Sequence, residues 1–238
     1  MKNQYAGDIG DYTKLGILRH LENADFSIGL NWYLTPDELA HSKTFTDGKH
    51  IDFLKCECDT PDIFLHCALK RIGLSNNRSV TRLERAKLFK NALFWNKILE
   101  GKERNKWHFE ALKKLCKQDI VFLDPDNGLE VKSTKPTSKN GNKYTTYQEV
   151  ADYYKNGSSV IVYNHRDRKP ENEYIKRLTR FKDIPETAKA KLFYLRAFRY
   201  SVRDYLFIVH ERHFSCLEKA IDDFLATEWC RYLKKCTL

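Results

Sequence analysis

The chain has 238 residues, 42% apolar and 31% charged, with only 10 glycines and 6 prolines, so it is long enough to bury a core and is neither disordered nor fibrous. No apolar run approaches the roughly 20 residues of a membrane helix, and the opening Met1–Asp8 stretch has no apolar signal segment. Forty-two Lys and Arg against 32 Asp and Glu give a formal charge of +10, which points to an anionic partner, RNA or DNA before others, against the plainer reading of an indifferent basic surface.

Seven irregularly spaced cysteines argue for reduced thiols and a cytoplasmic protein rather than a disulfide framework.

In chain order, Tyr12–Leu21 carries leucines at helical spacing behind Asp11, which is read as its N-cap. Lys14 falls in the first turn of this helix, where the macrodipole disfavours a cation and a nearby carboxylate or bound anion would compensate. Phe26–Leu34 reads as a strand. Thr35-Pro36-Asp37-Glu38 reads as a helix start with a capping box. Asp62–Ile72 is a short helix, Ser79–Leu83 a second strand, and Lys106–Lys117 an amphipathic helix.

Ile120-Val121-Phe122-Leu123 is a continuous apolar run, the pattern of a strand buried on both faces, and it ends in Asp124-Pro125-Asp126-Asn127-Gly128. Lys132–Lys143 has no apolar residue and four lysines, and is expected to be an exposed, mobile loop suited to nucleic-acid contact. Thr146–Tyr154 is helical. Ser159–Tyr163 is another buried strand, ending in Asn164-His165-Arg166-Asp167-Arg168. Glu171–Phe181 is helical. Leu192–Tyr200 and Tyr205–His210 are joined by too few residues for a crossover and must form an antiparallel hairpin. His213–Tyr232 closes the chain as a helix.

This order predicts one α/β domain over residues 1–238, a three-layer Rossmann-type sheet, mostly parallel with one antiparallel strand from the hairpin. Sites in such sheets lie beyond the carboxyl ends of the strands, where the Asp124–Glu130 and Asn164–Arg168 clusters fall. Asp124, standing directly after a buried strand, is placed to accept hydrogen bonds from a substrate amine, or to share a hard cation with Asp126. Turn chemistry alone accounts for Asn127-Gly128. Cys56, Cys58, His66 and Cys67 are zinc-ligand types at a spacing unlike the common knuckle, and the segment around His66 reads as core helix.

Two segments together resemble the bacterial ribosomal-RNA adenine methyltransferases: Ala6-Gly7-Asp8-Ile9-Gly10-Asp11-Tyr12-Thr13-Lys14, and Ile120 through Asp124-Pro125-Asp126-Asn127 in the place of an Asp-Pro-Pro-Tyr motif. The motifs Gly-Asp-Ile-Gly-Asp-Tyr and Asp-Pro-Asp-Asn-Gly also resemble uncharacterised bacterial proteins. The resemblance implies a methyltransferase-like fold that binds S-adenosylmethionine and methylates a base amine of RNA or DNA, with the base unpaired or flipped out. Asp124, Asp126 and Asn127 would form the catalytic segment. Lys14, Asp8, Asp11 and Glu84 would face the cofactor, Glu84 as the acid on the ribose. Tyr163, His165, Arg166 and Arg168 would meet the substrate.

The sequence departs from that family in lacking a glycine turn after the first strand and in replacing the second Pro and the Tyr by Asp126 and Asn127. Two alternatives therefore stay open. One is a metal-dependent nuclease or phosphohydrolase holding Mg²⁺ on Asp124 and Asp126, with Asp8, Glu130 or His165 nearby. The Asp-x-Asp-Asn run also resembles haloacid-dehalogenase phosphatases. The other is a catalytically inactive fold used for binding.

Overall fold

The computed structural model describes residues 1–37, 50–55, 60–199 and 202–238. Among the described residues, nine strands run in chain order: β1 (Ile28–Asn31), β2 (Leu93–Trp95), β3 (Ile120–Leu123), β4 (Gly128–Leu129), β5 (Tyr144–Thr145), β6 (Ser159–His165), β7 (Lys191–Ala197), β8 (Arg203–Val209) and β9 (Leu233–Thr237). Seven α-helices accompany them among the described residues: α1 (Ile9–Asn23), α2 (Ile63–Gly73), α3 (Val80–Arg85), α4 (Arg104–Leu115), α5 (Tyr147–Lys155), α6 (Glu171–Thr179) and α7 (Glu211–Leu225). Seven strands form one sheet in the order β2-β1-β3-β6-β8-β7-β9, and β4 and β5 pair beside it.

The central strands alternate between two cores, as burial on both faces demands. Ile120 and Phe122 of β3 join Ile161 of β6 and Phe207 of β8 in the core that also takes Leu18 of α1, Leu69 of α2 and Ile221 of α7. Val121 and Leu123 join Val160, Val162 and Leu206 in the second core, with Ala111 of α4, Val150 of α5 and Leu178 of α6. Among the described residues no helix is long and apolar enough to cross a membrane.

The sheet is mixed rather than mostly parallel with one exception. β2, β1, β3 and β6 pair in parallel, whereas β6–β8, β8–β7 and β7–β9 are antiparallel. β8 is the expected antiparallel strand. The unexpected one is β9, which follows the span expected to be the terminal helix, over residues for which no element is expected. That helix stops at Leu225; Thr227 then accepts a hydrogen bond from the Trp229 amide and starts a short 3-10 turn. The Trp229 indole packs where a Cβ on Gly16 would stand 2.4 Å away, so α1 receives the ring only because position 16 is glycine.

Three local expectations also change. The cap of α1 is Asp8, whose side chain accepts from the Asp11 amide, so the helix starts at Ile9 and Asp11 turns inward. Ser79–Leu83 is not a strand: the Ser79 side chain accepts from the Arg82 amide and caps α3, and the edge strand is Leu93–Trp95 instead. Thr35 gives its amide to the Met1 carbonyl, and 35–37 have no regular structure; Glu38, the last residue of the expected capping box, lies outside the described residues.

The Lys132–Lys143 segment is exposed at Lys132, Lys135 and Lys139 but is tied down rather than loose. Buried Arg104 forks onto Glu149 with two 2.7 Å bonds and donates to the carbonyls of Pro136, Gly141 and Tyr144. A satisfied guanidinium of this kind fixes the backbone it holds.

Candidate functional site

A cleft of about 270 Å³ opens at the carboxyl ends of β3 and β6, walled by the start of α1, the Asp124–Asp126 turn, Tyr163 and His165 from β6, and Arg203 at the start of β8. Asp124 is held rigidly because its amide donates to the Asn31 carbonyl at 2.9 Å and continues the β1–β3 ladder. Its Oδ2 lies 2.6 Å from Lys14 Nζ, and the same ammonium is 2.7 Å from Asp11 Oδ1. The two segments that carry the family resemblance, 110 positions apart, thus meet in one buried contact.

All three groups are nearly inaccessible, at 1% for Asp11, 3% for Lys14 and 4% for Asp124. Asp11 also accepts the Gly7 amide at 2.6 Å. Lys14 therefore sits where α1 alone would disfavour it, and two carboxylates supply the compensation. Burial opposes its charge, but Asp11 and Asp124 outweigh that and hold its pKa above the ordinary lysine value. Burial raises the Asp124 carboxyl, and Lys14 and the chain-start ammonium offset this only in part. Asp8 is raised as well, by burial and then by Asp11.

Asp126 projects from the same turn, 2.7 Å from the Met1 ammonium, which also donates to the carbonyls of Tyr33 and Asp124. Neither Asp126 oxygen accepts a hydrogen bond of good geometry, although both are shielded from solvent. Tyr163 packs edge-on to Tyr205 with ring centroids 6.1 Å apart, and burial pushes its phenol up to about 12. His165, beside it, is depressed by burial and then by Arg203, so it is neutral at pH 7.

Arg203 is a site residue that the sequence reading missed. It enters because β8 pairs with β6 in the register His165↔Arg203. Its guanidinium lies against α1, where a Cβ on Gly10 would be 2.6 Å from Nη1. The only local signal is a basic residue opening a strand after a hairpin, which many surface strands share. Tyr5 and His50 also reach the cleft wall.

Other expected site residues lie elsewhere. Glu84 is on α3, not after a strand, and its two oxygens accept from the Trp32 indole and the Asn96 amide. Asn127 contributes backbone: its amide donates to Lys143 and its carbonyl accepts from His165. Arg166 stacks over Tyr174 at 4.3 Å and bonds Asp167 and Glu171, outside the cleft. Arg168 is exposed. Glu130 accepts the Tyr147 amide beyond β4. Beneath the turn, Asn164 accepts the Leu129 amide and donates to Tyr174, which donates to Asp204, a buried chain of bonds that supports the turn.

The donor set does not suit a divalent cation. Asp124 is engaged by Lys14 and Asp126 faces an ammonium, and among the described residues no three His, Cys, Asp or Glu side chains converge as a metal cage requires. Cys56 and Cys58 lie outside the described residues, and His66 is a core residue whose Nε2 meets the Phe53 carbonyl.

Of the residues assigned to S-adenosylmethionine, Asp8, Asp11 and Lys14 line the cleft and Glu84 does not. After β1, where a glycine turn would admit a cofactor, stand fully buried Trp32 and Tyr33. The indole lies 5.0 Å from Lys14 Nζ, and Tyr33 holds φ at +44° with its hydroxyl in the Thr145–Glu149 cluster.

In comparisons with known proteins, no family model matches the chain and no curated protein matches it. The fold and the cleft define the chain at the level of class: an α/β protein of Rossmann-like layering, with a buried lysine–carboxylate cluster at the carboxyl edge of its sheet.

Proposed function

We propose that the protein binds single-stranded nucleic acid and receives an unpaired base in the Asp124 cleft, as a base-recognising module on a methyltransferase-like scaffold. The observation that carries this reading is the rigid Asp124 carboxylate, anchored by Lys14 at Oδ2 only, at the mouth of a cleft with more acids than cations. An exocyclic base amine supplies the N–H donors that Asp124 Oδ1 accepts. Four acids (Asp8, Asp11, Asp124, Asp126) face three cations (Lys14, Arg203 and the Met1 ammonium), so the cleft repels phosphate while the +10 chain attracts it. Tyr163 and Tyr5 are the rings in reach for stacking.

The second reading is methyl transfer from S-adenosylmethionine to that amine. It is favoured by the contact between the two resemblance-bearing segments and by β8 lying antiparallel between β6 and β7, as the closing hairpin of that family does.

Fluorescence anisotropy with labelled RNA and DNA oligomers, and calorimetry with S-adenosylmethionine and its demethylated product, test both. The module reading expects binding that weakens with salt, a loss on Asp124→Asn greatest for amine-bearing bases, and no heat from either cofactor form at millimolar concentration. Cofactor heat with methyl incorporation into the oligomer replaces it by the second reading. No binding to any oligomer at low salt overturns both.

A further inference from the structure

A second cavity, of about 800 Å³, lies on the other side of the first two residues. Met1 is in the wall of the Asp124 cleft and Lys2 is in the wall of this groove. Lys102, Lys139 and Lys143 stand in its wall, against Asp37 and Glu100. The groove thus carries the opposite charge bias to the cleft it adjoins.

Its floor is built. Asn142 is 7% exposed and donates to the Leu99 carbonyl at 2.9 Å, while its Oδ1 has no partner. A buried carbonyl oxygen without a donor is costly unless a ligand supplies one. Gly101 packs against this floor: a Cβ there would sit 2.2 Å from the Thr137 carbonyl and 3.4 Å from Asn142 Oδ1. The Arg104 fork holds the carbonyls on either side of the lysines, so Lys139 and Lys143 are presented from fixed backbone.

We infer that this groove carries the strand next to the recognised base. It rests on the nucleic-acid reading above. Phosphates meet Lys102, Lys139 and Lys143, and Asn142 Oδ1 accepts a hydrogen bond from the strand, either from a base N–H or from a ribose 2′-hydroxyl. The groove has few apolar side chains, Leu99 and Pro36 among them, and so lacks the pockets an extended peptide would need for its side chains. A polyanionic single strand is the occupant its chemistry fits.

The test compares two double variants of equal charge change. Lys102→Glu/Lys139→Glu alters the groove; Lys132→Glu/Lys135→Glu alters exposed lysines outside it. All four are exposed, so thermal melts should be unchanged. A single-strand phosphate contact contributes about 0.7 to the slope of log affinity against log salt, or roughly 5-fold at 0.1 M relative to 1 M. Losing two should weaken binding of a 12-nucleotide probe by at least about 20-fold and flatten the slope by about 1.4.

The control pair should change affinity by less than about 3-fold. Equal losses in the two pairs, or no loss in the groove pair, overturn the groove assignment while leaving base recognition standing. Absence of binding by the unaltered protein overturns base recognition itself. Matched RNA and DNA probes separate the donors: tighter RNA binding assigns the Asn142 contact to the 2′-hydroxyl, and equal binding assigns it to a base.

Discussion

Replacing Lys14 by Met should reveal the Asp11–Lys14–Asp124 cluster as a charge device rather than a packing feature. Lys14 Nζ lies 2.6 and 2.7 Å from the two carboxylates, and no member of the cluster exceeds 4% exposure. Removing one partner from a buried ion pair costs about 3–5 kcal/mol, because the remaining charge stays buried. With a urea dependence near 2 kcal/mol/M, the unfolding midpoint should fall by about 2 M.

The loss should also depend on pH. Without Lys14, Asp124 faces Asp11 in a desolvated site with no cation between them, which raises the folded-state pKa of Asp124 further above the unfolded value of 3.8. A carboxyl with a raised folded pKa binds its proton more tightly in the native state, so stability returns as pH falls. Each pH unit between the folded and unfolded values recovers about 1.4 kcal/mol. Urea unfolding of both proteins at pH 7.5 and pH 5 measures this. The gap between them should narrow at pH 5, and Lys14→Met/Asp124→Asn should be more stable at pH 7.5 than Lys14→Met alone. A loss under about 1 kcal/mol, or one equal at both pH values, would refute the assignment of Lys14 as the partner of a buried charge.

Gly128→Ala should cost about 3 kcal/mol or more, since position 128 holds φ at +102° and an ideal Cβ stands 2.1 Å from Asn164 Oδ1; a melting temperature within 2 °C of the parent would count against this, using about 2–4 °C per kcal/mol for a chain of this size. Arg104→Lys keeps the charge but loses the fork, and releasing about 2 kcal/mol should speed tryptic cleavage at Lys139 by roughly 30-fold; an unchanged digestion pattern would show that the fork does not hold the loop. His213 is depressed by burial and then by Arg212, so the unfolded chain protonates first and stability falls as pH drops through 6.5. His213→Gln should make the melting temperature less sensitive to pH between 7.5 and 5.5, and an identical pH profile would dismiss His213 as a contributor.

What the sequence made legible follows from how local each signal is. Ile120–Leu123 declares itself because every position is apolar, and a strand buried on both faces needs that. The α5 start is readable because Thr146 and Glu149 bond each other's backbone in a capping box, a pattern confined to four residues. β2 and β9 were hidden because they are edge strands. Leu93-Phe94-Trp95 is three residues long, and Leu233–Thr237 places two lysines in succession, so neither shows an alternation that outweighs its neighbours. Asp124 could be picked out from its place after a buried strand. Arg203 could not, because it reaches the cleft through the pairing of two strands and through the missing side chain of Gly10.

The opposed charge of cleft and groove constrains how any nucleic acid can lie on this surface. A chain with a surplus of ten positive charges attracts phosphate from many directions, which gives encounter without register. Register requires places where phosphate is unwelcome. The Asp124 cleft is proposed as such a place: Lys14 and the Met1 ammonium are engaged by acids, and Asp126 adds a carboxylate without a good hydrogen-bond donor. A phosphate entering it would lose its water and meet net repulsion. A base amine would lose less water and find an acceptor. Next to it, across Met1–Lys2, the groove reverses the preference. On the proposed reading, a strand crossing that boundary would be oriented by charge, with backbone on the lysine side and one base turned toward Asp124.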